Sequence, residues 1–380
     1  MGKIYLPGLN GIRAIAAVIV VIFHIDQYSN LFGVEELGFG DNGMAYFAVD
    51  MFFALSGFLI TYLLLTEKSK FGKVELGKFY MRRILRIWPI YYVAIIITFL
   101  LYQFGMLEAN KNVALTFGLF SFFLPNVSHA FGLDMVTMFP LWSVGVEEQF
   151  YAFWPLLVNK VKNVFRFLII LVATYLVATL AIRFINHPGW QGLLHFASLD
   201  ALGIGGIMAY LVYTKHSLTK IIFHPITQVV CWVFLAVSIL YKPVHVYYYF
   251  DFAMHAFVYA VLIANVSSNP KTLISLENKV LDFLGKISYG LYIYNMIVIF
   301  LVGYFLKDFL PTIDDTRYQY VIIYLMSVSF TVMISYFSYF FFEVRFLKMK
   351  GRFSKIHSTN SKDKTKVESD EVVLSESLSY

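Results

Sequence analysis

Stretches of about 20 mostly apolar residues, each long enough to cross a bilayer as a helix, recur from Gly11 to the mid-340s with only short breaks. In lipid every backbone N–H and C=O must be paired within the protein, which leaves helices or a closed barrel as the spanning forms. Runs of this length without period-2 alternation are helical. They lie approximately over 11–29, 44–65, 86–104, 142–158, 164–185, 193–213, 221–241, 247–267, 281–306 and 319–342. The sequence therefore predicts an all-α integral membrane protein, a bundle of about ten transmembrane helices. Hydrophobic residues form 59% of the chain and charged residues 14%, so there is too little polar surface for a soluble globule of 380 residues. One membrane domain, 1–350, accounts for nearly everything. From 351 to 380 the composition turns to Ser, Lys, Asp and Glu, and this tail is expected to be disordered, because it cannot bury enough apolar surface to offset its ordering entropy.

The formal charge is +6, but the Lys and Arg sit in short loops between apolar runs, where they orient a membrane protein rather than bind nucleic acid. The loop holding Lys68, Lys70, Arg82, Arg83 and Arg86 is the most basic and is assigned to the cytoplasm, and the loop holding Glu35, Glu36 and Asp41 to the outside. Both termini are then cytoplasmic, as expected for a multi-pass protein of the plasma (inner) membrane. An eleventh apolar piece, Val113 to Leu124, is too short to span and would put Lys160, Lys162 and Arg166 on the wrong side. It is read as a re-entrant or interfacial segment facing outward. The one cysteine, Cys231, lies in an apolar run and forms no internal disulfide. No metal-ligand spacing, Walker loop or dinucleotide glycine pattern occurs, so no metal is expected.

Ionisable side chains inside membrane helices are costly and are functional-site candidates for that reason. Arg13 and His24 are eleven residues apart, about 20° past three full turns, so they share one helix face about 16 Å apart along the axis. Taken singly, each also fits a bland reading: a satisfied core histidine, a snorkelling arginine. Glu147 and Glu148, a turn and a half into the helix that begins near Trp142, reach about the depth of His24, and adjacent acids point different ways, so at most one can face it. Asp50 enters its helix at a similar depth and is another partner for the imidazole; Asp26 points elsewhere. Arg82, Arg83 and Arg86 suit a polyanionic cytosolic ligand through forked, charge-assisted hydrogen bonds, although such clusters also touch anionic lipids.

Several segments together resemble the acyltransferase-3 family of membrane acyltransferases, which includes bacterial O-acetyltransferases of surface polysaccharides. They are Leu6-Pro7-Gly8-Leu9-Asn10-Gly11-Ile12-Arg13 followed by ten residues and His24, Val49-Asp50-Met51-Phe52-Phe53-Ala54-Leu55-Ser56-Gly57-Phe58, Arg83 with Arg86, and Trp142-Ser143 through Glu147-Glu148-Gln149-Phe150-Tyr151. Gly285-Lys286-Ile287-Ser288-Tyr289-Gly290-Leu291-Tyr292 and Phe342-Glu343 complete the series over residues 5–347. The resemblance implies transfer of an acyl group, most often acetyl from acetyl-CoA, to a hydroxyl of a sugar or lipid-linked glycan. Two departures bear on acceptor choice or local hydrogen bonding. No Arg precedes Asp200 in Ser198-Leu199-Asp200, and Tyr294-Asn295 stands where many members have His after an aromatic. Some relatives carry a further extracytoplasmic transferase domain that is absent from this sequence, so the membrane domain is expected to complete the transfer or hand it to a partner.

The mechanism expected on that resemblance has no permanently bound cofactor. Acyl-CoA is the donor substrate, its phosphates near Arg83 and Arg86 and its arm guided past Arg13 towards His24. His24 acts as general base on the acceptor hydroxyl, and Glu147, Glu148 or Asp50 fixes its tautomer. An acyl-His intermediate is an equally open route. This scheme requires a continuous cavity from positions 83 and 86 to position 24. A transporter or flippase of a glycan or lipid intermediate, with membrane lipids as its surroundings, is the competing reading.

Overall fold

The computed structural model describes residues 3–34, 43–108, 112–133, 135–185, 187–246, 248–353 and 357–358. The acidic loop at Glu35, Glu36 and Asp41 and most of the tail predicted beyond residue 350 lie outside them. Helices α1 (Leu9–Gln27), α2 (Met44–Phe71), α3 (Leu76–Gln103), α6 (Leu141–Lys160) and α7 (Val164–Ala181) form the first half, with the short α4 (Val113–Ser121) and α5 (Pro125–Ala130) between α3 and α6. The second half comprises α8 (Pro188–His195), α9 (Leu199–Tyr213), α10 (Thr219–Ile222), α11 (Pro225–Leu240), α12 (Tyr248–Ser268), α13 (Lys279–Leu306), α14 (Thr316–Phe337) and α15 (Val344–Lys350). Apart from a two-residue parallel pairing of Lys3–Ile4 with His357–Ser358, the described residues are helical or irregular. The chain is an all-α membrane bundle, as its apolar pattern predicts.

Among the described residues eight helical stretches are long and apolar enough to cross a bilayer. The other two expected spans are α6, diluted by Glu147, Glu148 and Lys160, and α11, of only 16 residues. Hydrogen bonds at the helix ends show the alternation. At one end, the basic end, Asn10 of α1 donates to Asp282 of α13 (2.6 Å), Lys68 of α2 donates to the Val158 carbonyl of α6 (2.6 Å), and Arg82 of α3 pairs with Glu67 of α2 (3.3 Å). At the far end, Thr98 of α3 donates to Thr137, which precedes α6 (3.0 Å). So α3 leaves and α6 enters on the same side, and the residues between them do not cross.

That intervening piece is re-entrant. The carbonyls closing α4, Phe120 and Ser121, accept from Tyr91 (2.7 Å) and Tyr92 (3.0 Å) of α3. Tyr91 lies twelve residues before Gln103, about 18 Å down the axis from the far end. At the tip Phe123 takes a positive φ of 57° and stacks on Tyr91 with ring centroids 4.4 Å apart. The Gln149 side chain of α6 caps the exposed backbone there, donating to the Phe123 carbonyl (2.9 Å) and to Asn126 (2.7 Å). Backbone that is not helical survives at this depth because protein surrounds it and satisfies it.

Burial separates inner from outer helices. The spanning windows of α1, α2, α12 and α13 are 72, 67, 78 and 67% buried, whereas α7 and the α14–α15 stretch are 17 and 22% buried. The tightest contact joins α2 to α9: a Cβ at Gly57 would lie 2.0 Å from the Leu202 carbonyl oxygen, and one at Gly205 2.1 Å from that of Ala54. Without side chains at these two positions the backbones touch, the usual basis of helix association in a solvent as apolar as the helices themselves. The span expected over 193–213 is broken at Ser198, whose φ of 43° turns the chain between α8 and α9. Val344 onward continues α14 through a π-helical turn, Ser338–Glu343, that keeps Glu343 buried.

Candidate functional site

The basic segment of α3 divides by helical geometry. Arg82 turns towards Glu67 and the Phe353 carbonyl (2.8 Å). Arg83 and Arg86, three residues apart and on one face, turn inward with Ile87 and meet Arg13 of α1 in a single cavity of about 90 Å³. Arg83 is buried, with its guanidinium carbon 5.6 Å from the Phe79 ring centroid and 5.4 Å from that of Tyr151, and its Nε has no hydrogen-bond partner. Arg13 donates to Asn10 (3.1 Å). The carboxylate lining this cavity is Glu147, which accepts from Ser56 of α2 (2.5 Å) and from Tyr151 one turn along α6 (3.1 Å). Three guanidinium groups and one carboxylate line the cavity, with Glu148 in electrostatic reach of Arg83, Glu343 of Arg86, and Lys350 of all three arginines.

The cavity ends on its inner side at Phe52, Ser143 and Tyr292. Phe52 and Tyr292 meet edge to face at 5.5 Å, and the Tyr292 hydroxyl bonds Ser143 (2.6 Å) and the Pro140 carbonyl (3.1 Å). His24 does not line the cavity; it lies beyond this septum, 3% exposed, with its ring against Tyr28 (6.1 Å) and Phe139 (6.0 Å). The continuous passage expected between the arginines and His24 is not present in this cavity, whose lining includes Phe52 and Tyr292 but not the imidazole.

The carboxylate expected beside His24 is not among its hydrogen bonds. Its Nδ1 is 2.8 Å from Oδ1 of Asn295 on α13. Glu147 is held in the arginine cavity, while Glu148, about 100° further round α6, accepts from Trp88 (3.0 Å) and keeps Oε1 unpartnered. Adjacent acids do point apart, and neither reaches the imidazole. Asp50 occupies a third compartment, between α2, α9 and α12, buried with Oδ2 unpartnered and in electrostatic reach of Asp200 and Tyr259. The sequence thus identifies residues that converge, Arg13, Arg83, Arg86 and Glu147, and separates badly those that do not. It misses Ser56, Ser143, Tyr151, Tyr292 and Asn295 as site residues. All five lie in or beside the segments that carry the resemblance, where Asn295 stands only as a departure. Among the described residues no group of three His, Cys, Asp or Glu side chains could hold a metal ion.

Comparison with known proteins places this arrangement in a family. A protein of Staphylococcus aureus (strain COL) named "Putative O-acetyltransferase" is 27% identical over 369 residues, covering 90% of this chain and 58% of the relative. The O-acetyltransferase OatA of Staphylococcus aureus (strain NCTC 8325 / PS 47) is 26% identical over 373 residues, covering 91% of this chain and 58% of the relative. The chain thus spans a little over half the length of these curated relatives. No solved structure matches it. The model of the family described as "Acyltransferase domain" matches residues 6–340, which include every cavity residue above and both His24 and Asn295, and the chain belongs to that family.

Proposed function

We propose that this protein is a membrane O-acyltransferase that moves an acyl group, acetyl in the first instance, from acyl-CoA to a hydroxyl of a sugar in a cell-surface or lipid-linked glycan. The observation that carries the donor assignment is the convergence of Arg13, Arg83 and Arg86 with one carboxylate in a single cavity at the basic end. Such an excess of forked cations suits phosphates, and the positive-inside rule assigns this end to the cytoplasm, where CoA is found. At about 90 Å³ the cavity is far below the ~300–1,000 Å³ of a pocket that encloses a ligand of drug size. The pantetheine arm therefore enters as Phe52 and Tyr292 part, which brings the thioester to His24.

His24 then serves as general base. The acceptor oxygen attacks the thioester carbonyl as the imidazole takes its proton, the C–S bond breaks, and the departing CoA thiolate receives the proton, so the imidazole returns to its neutral form. Glu147 fixes Ser56 and Tyr151 and offsets part of the arginine charge while the donor site is empty. A carrier of glycan or lipid has no need of this base, and the family is one of acyltransferases, which leaves the transport reading without support.

The test is made in cells fed labelled acetate and expressing either the wild-type chain or His24→Ala, with envelope glycans analysed by mass spectrometry for the acetyl mass. Loss of a general base costs about 10²–10⁴ in rate, so the variant should leave the glycans essentially unlabelled. Labelling near the wild-type level at equal protein abundance would show that His24 is not the base.

A further inference from the structure

We infer that Asn295 is a positioning residue that fixes His24 in one tautomer, with the proton on Nδ1 and the basic lone pair on Nε2; this rests on the reading of His24 as the base. The orientation of the amide follows from what it can donate. Asn295 Nδ2 has two hydrogens, and they go to the carbonyl oxygens of Leu291 (3.1 Å) and Tyr292 (2.5 Å) of its own helix. A carbonyl only accepts, so turning the amide over would set its oxygen against two others. The amide is thereby locked, and the atom it shows to His24 is the acceptor Oδ1, 2.8 Å from Nδ1. Only a protonated Nδ1 satisfies that contact. The neutral imidazole has one N–H, so Nε2 is left bare and able to take a proton from a hydroxyl.

Burial gives the contact its force. Asn295 is 0% and His24 3% exposed, so water cannot replace the hydrogen bond on either side. The ring meets Tyr28, just past the end of α1, and Phe139 ahead of α6, and among the described residues Asn295 is the one side chain whose hydrogen bond acts on it. Asp26, two residues along α1, faces Tyr324 of α14 instead. No charged side chain among the described residues acts on the imidazole. The device differs from a carboxylate–histidine pair in one respect: an amide selects the tautomer without adding charge. The same side chain ties the base to the donor cavity, because the Tyr292 carbonyl that accepts from Asn295 belongs to the residue closing that cavity.

Three variants read this out in purified, membrane-reconstituted protein with labelled acetyl-CoA and the extracted envelope glycan fraction as acceptor. Asn295→Ala frees both tautomers and the ring orientation, and kcat should fall about 10- to 100-fold with donor KM unchanged. Asn295→Asp keeps the acceptor oxygen and adds a charge. Its second oxygen faces the Leu291 and Tyr292 carbonyls, so it should restore only part of kcat; it should also move the acidic limb of the pH–rate profile upward by about one unit or more, because the carboxylate favours the imidazolium and the base is active only when neutral. Asn295→Leu, similar in volume and unable to accept, should behave as Ala does. A monodisperse elution and a melting temperature near wild type identify folded variants, and the Asp variant retests the idea should Ala or Leu fail to fold. The assignment is overturned if Asn295→Asp is as inactive as Ala, if its acidic limb does not move, or if Asn295→Leu keeps full kcat. These outcomes are distinct from failure of the base reading itself, in which His24→Ala remains active whatever occupies position 295.

Discussion

Two polar compartments lie on either side of Tyr292, and they are built on opposite principles. The cavity at the basic end is crowded with charge: Arg13, Arg83 and Arg86 against Glu147. The compartment behind the septum is neutral, an imidazole between Tyr28 and Phe139 held by an amide. A charged cavity can select an anion and adds nothing to the nucleophilicity of an alcohol. A neutral one can orient an imidazole towards a hydroxyl but has no means of recognising phosphate. Under the proposed function, donor binding and proton transfer fall to separate groups of residues, and that separation can be broken one side at a time.

The largest effect on the charged side is expected from removing two cations together. Arg83→Ala with Arg86→Ala takes away the paired forks on one face of α3, and the donor KM should rise about 100-fold, since hydrogen bonds to charged groups contribute about 1.5–3 kcal/mol each and the two share one ligand. Initial rates against acetyl-CoA concentration measure it. The acceptor KM should hold, and a rise in acceptor KM with donor KM unchanged would remove the donor assignment.

A smaller and opposite shift is expected at Glu147. It is the negative group in the cavity proposed to take a negative ligand, so Glu147→Gln should lower the donor KM by a factor on the order of five, about 1 kcal/mol of repulsion relieved in a partly screened site. The same change weakens the bonds from Ser56 and Tyr151, so kcat should fall modestly. An increase in donor KM would mean that Glu147 binds the donor rather than tempering the arginines.

How far these compartments are legible in the sequence follows from the range of the interactions. Spans, the basic end and the re-entrant segment are written in local composition, because a helix needs its own length of apolar residues wherever it packs. The Arg13–His24 face and the Arg83–Arg86 pair are legible through the 3.6-residue period. What holds His24 is not, since Asn295 is 271 positions away and nothing local distinguishes an amide on α13 from three carboxylates at similar depth. Glu147 and Glu148 look equivalent in the chain, yet 100° of helix rotation sends one to the cavity and the other to Trp88. The break at Ser198 and the π-helical turn at Ser338–Glu343 carry no proline or glycine at those positions to announce them.

The septum itself should give the smallest effect. Tyr292→Phe keeps the ring that packs on Phe52 and removes the hydroxyl that bonds Ser143 and the Pro140 carbonyl. A neutral hydrogen bond contributes about 1 kcal/mol net, so the closed arrangement should lose roughly that much, and opening should become about fivefold easier. If parting of Phe52 and Tyr292 limits turnover, kcat rises by up to this factor, with donor KM unchanged because the arginines are untouched. Stopped-flow release of CoA thiol separates the opening step from later ones. A higher donor KM at unchanged kcat would instead make Tyr292 part of the donor site, and the boundary between the two compartments would then lie deeper, at Asn295.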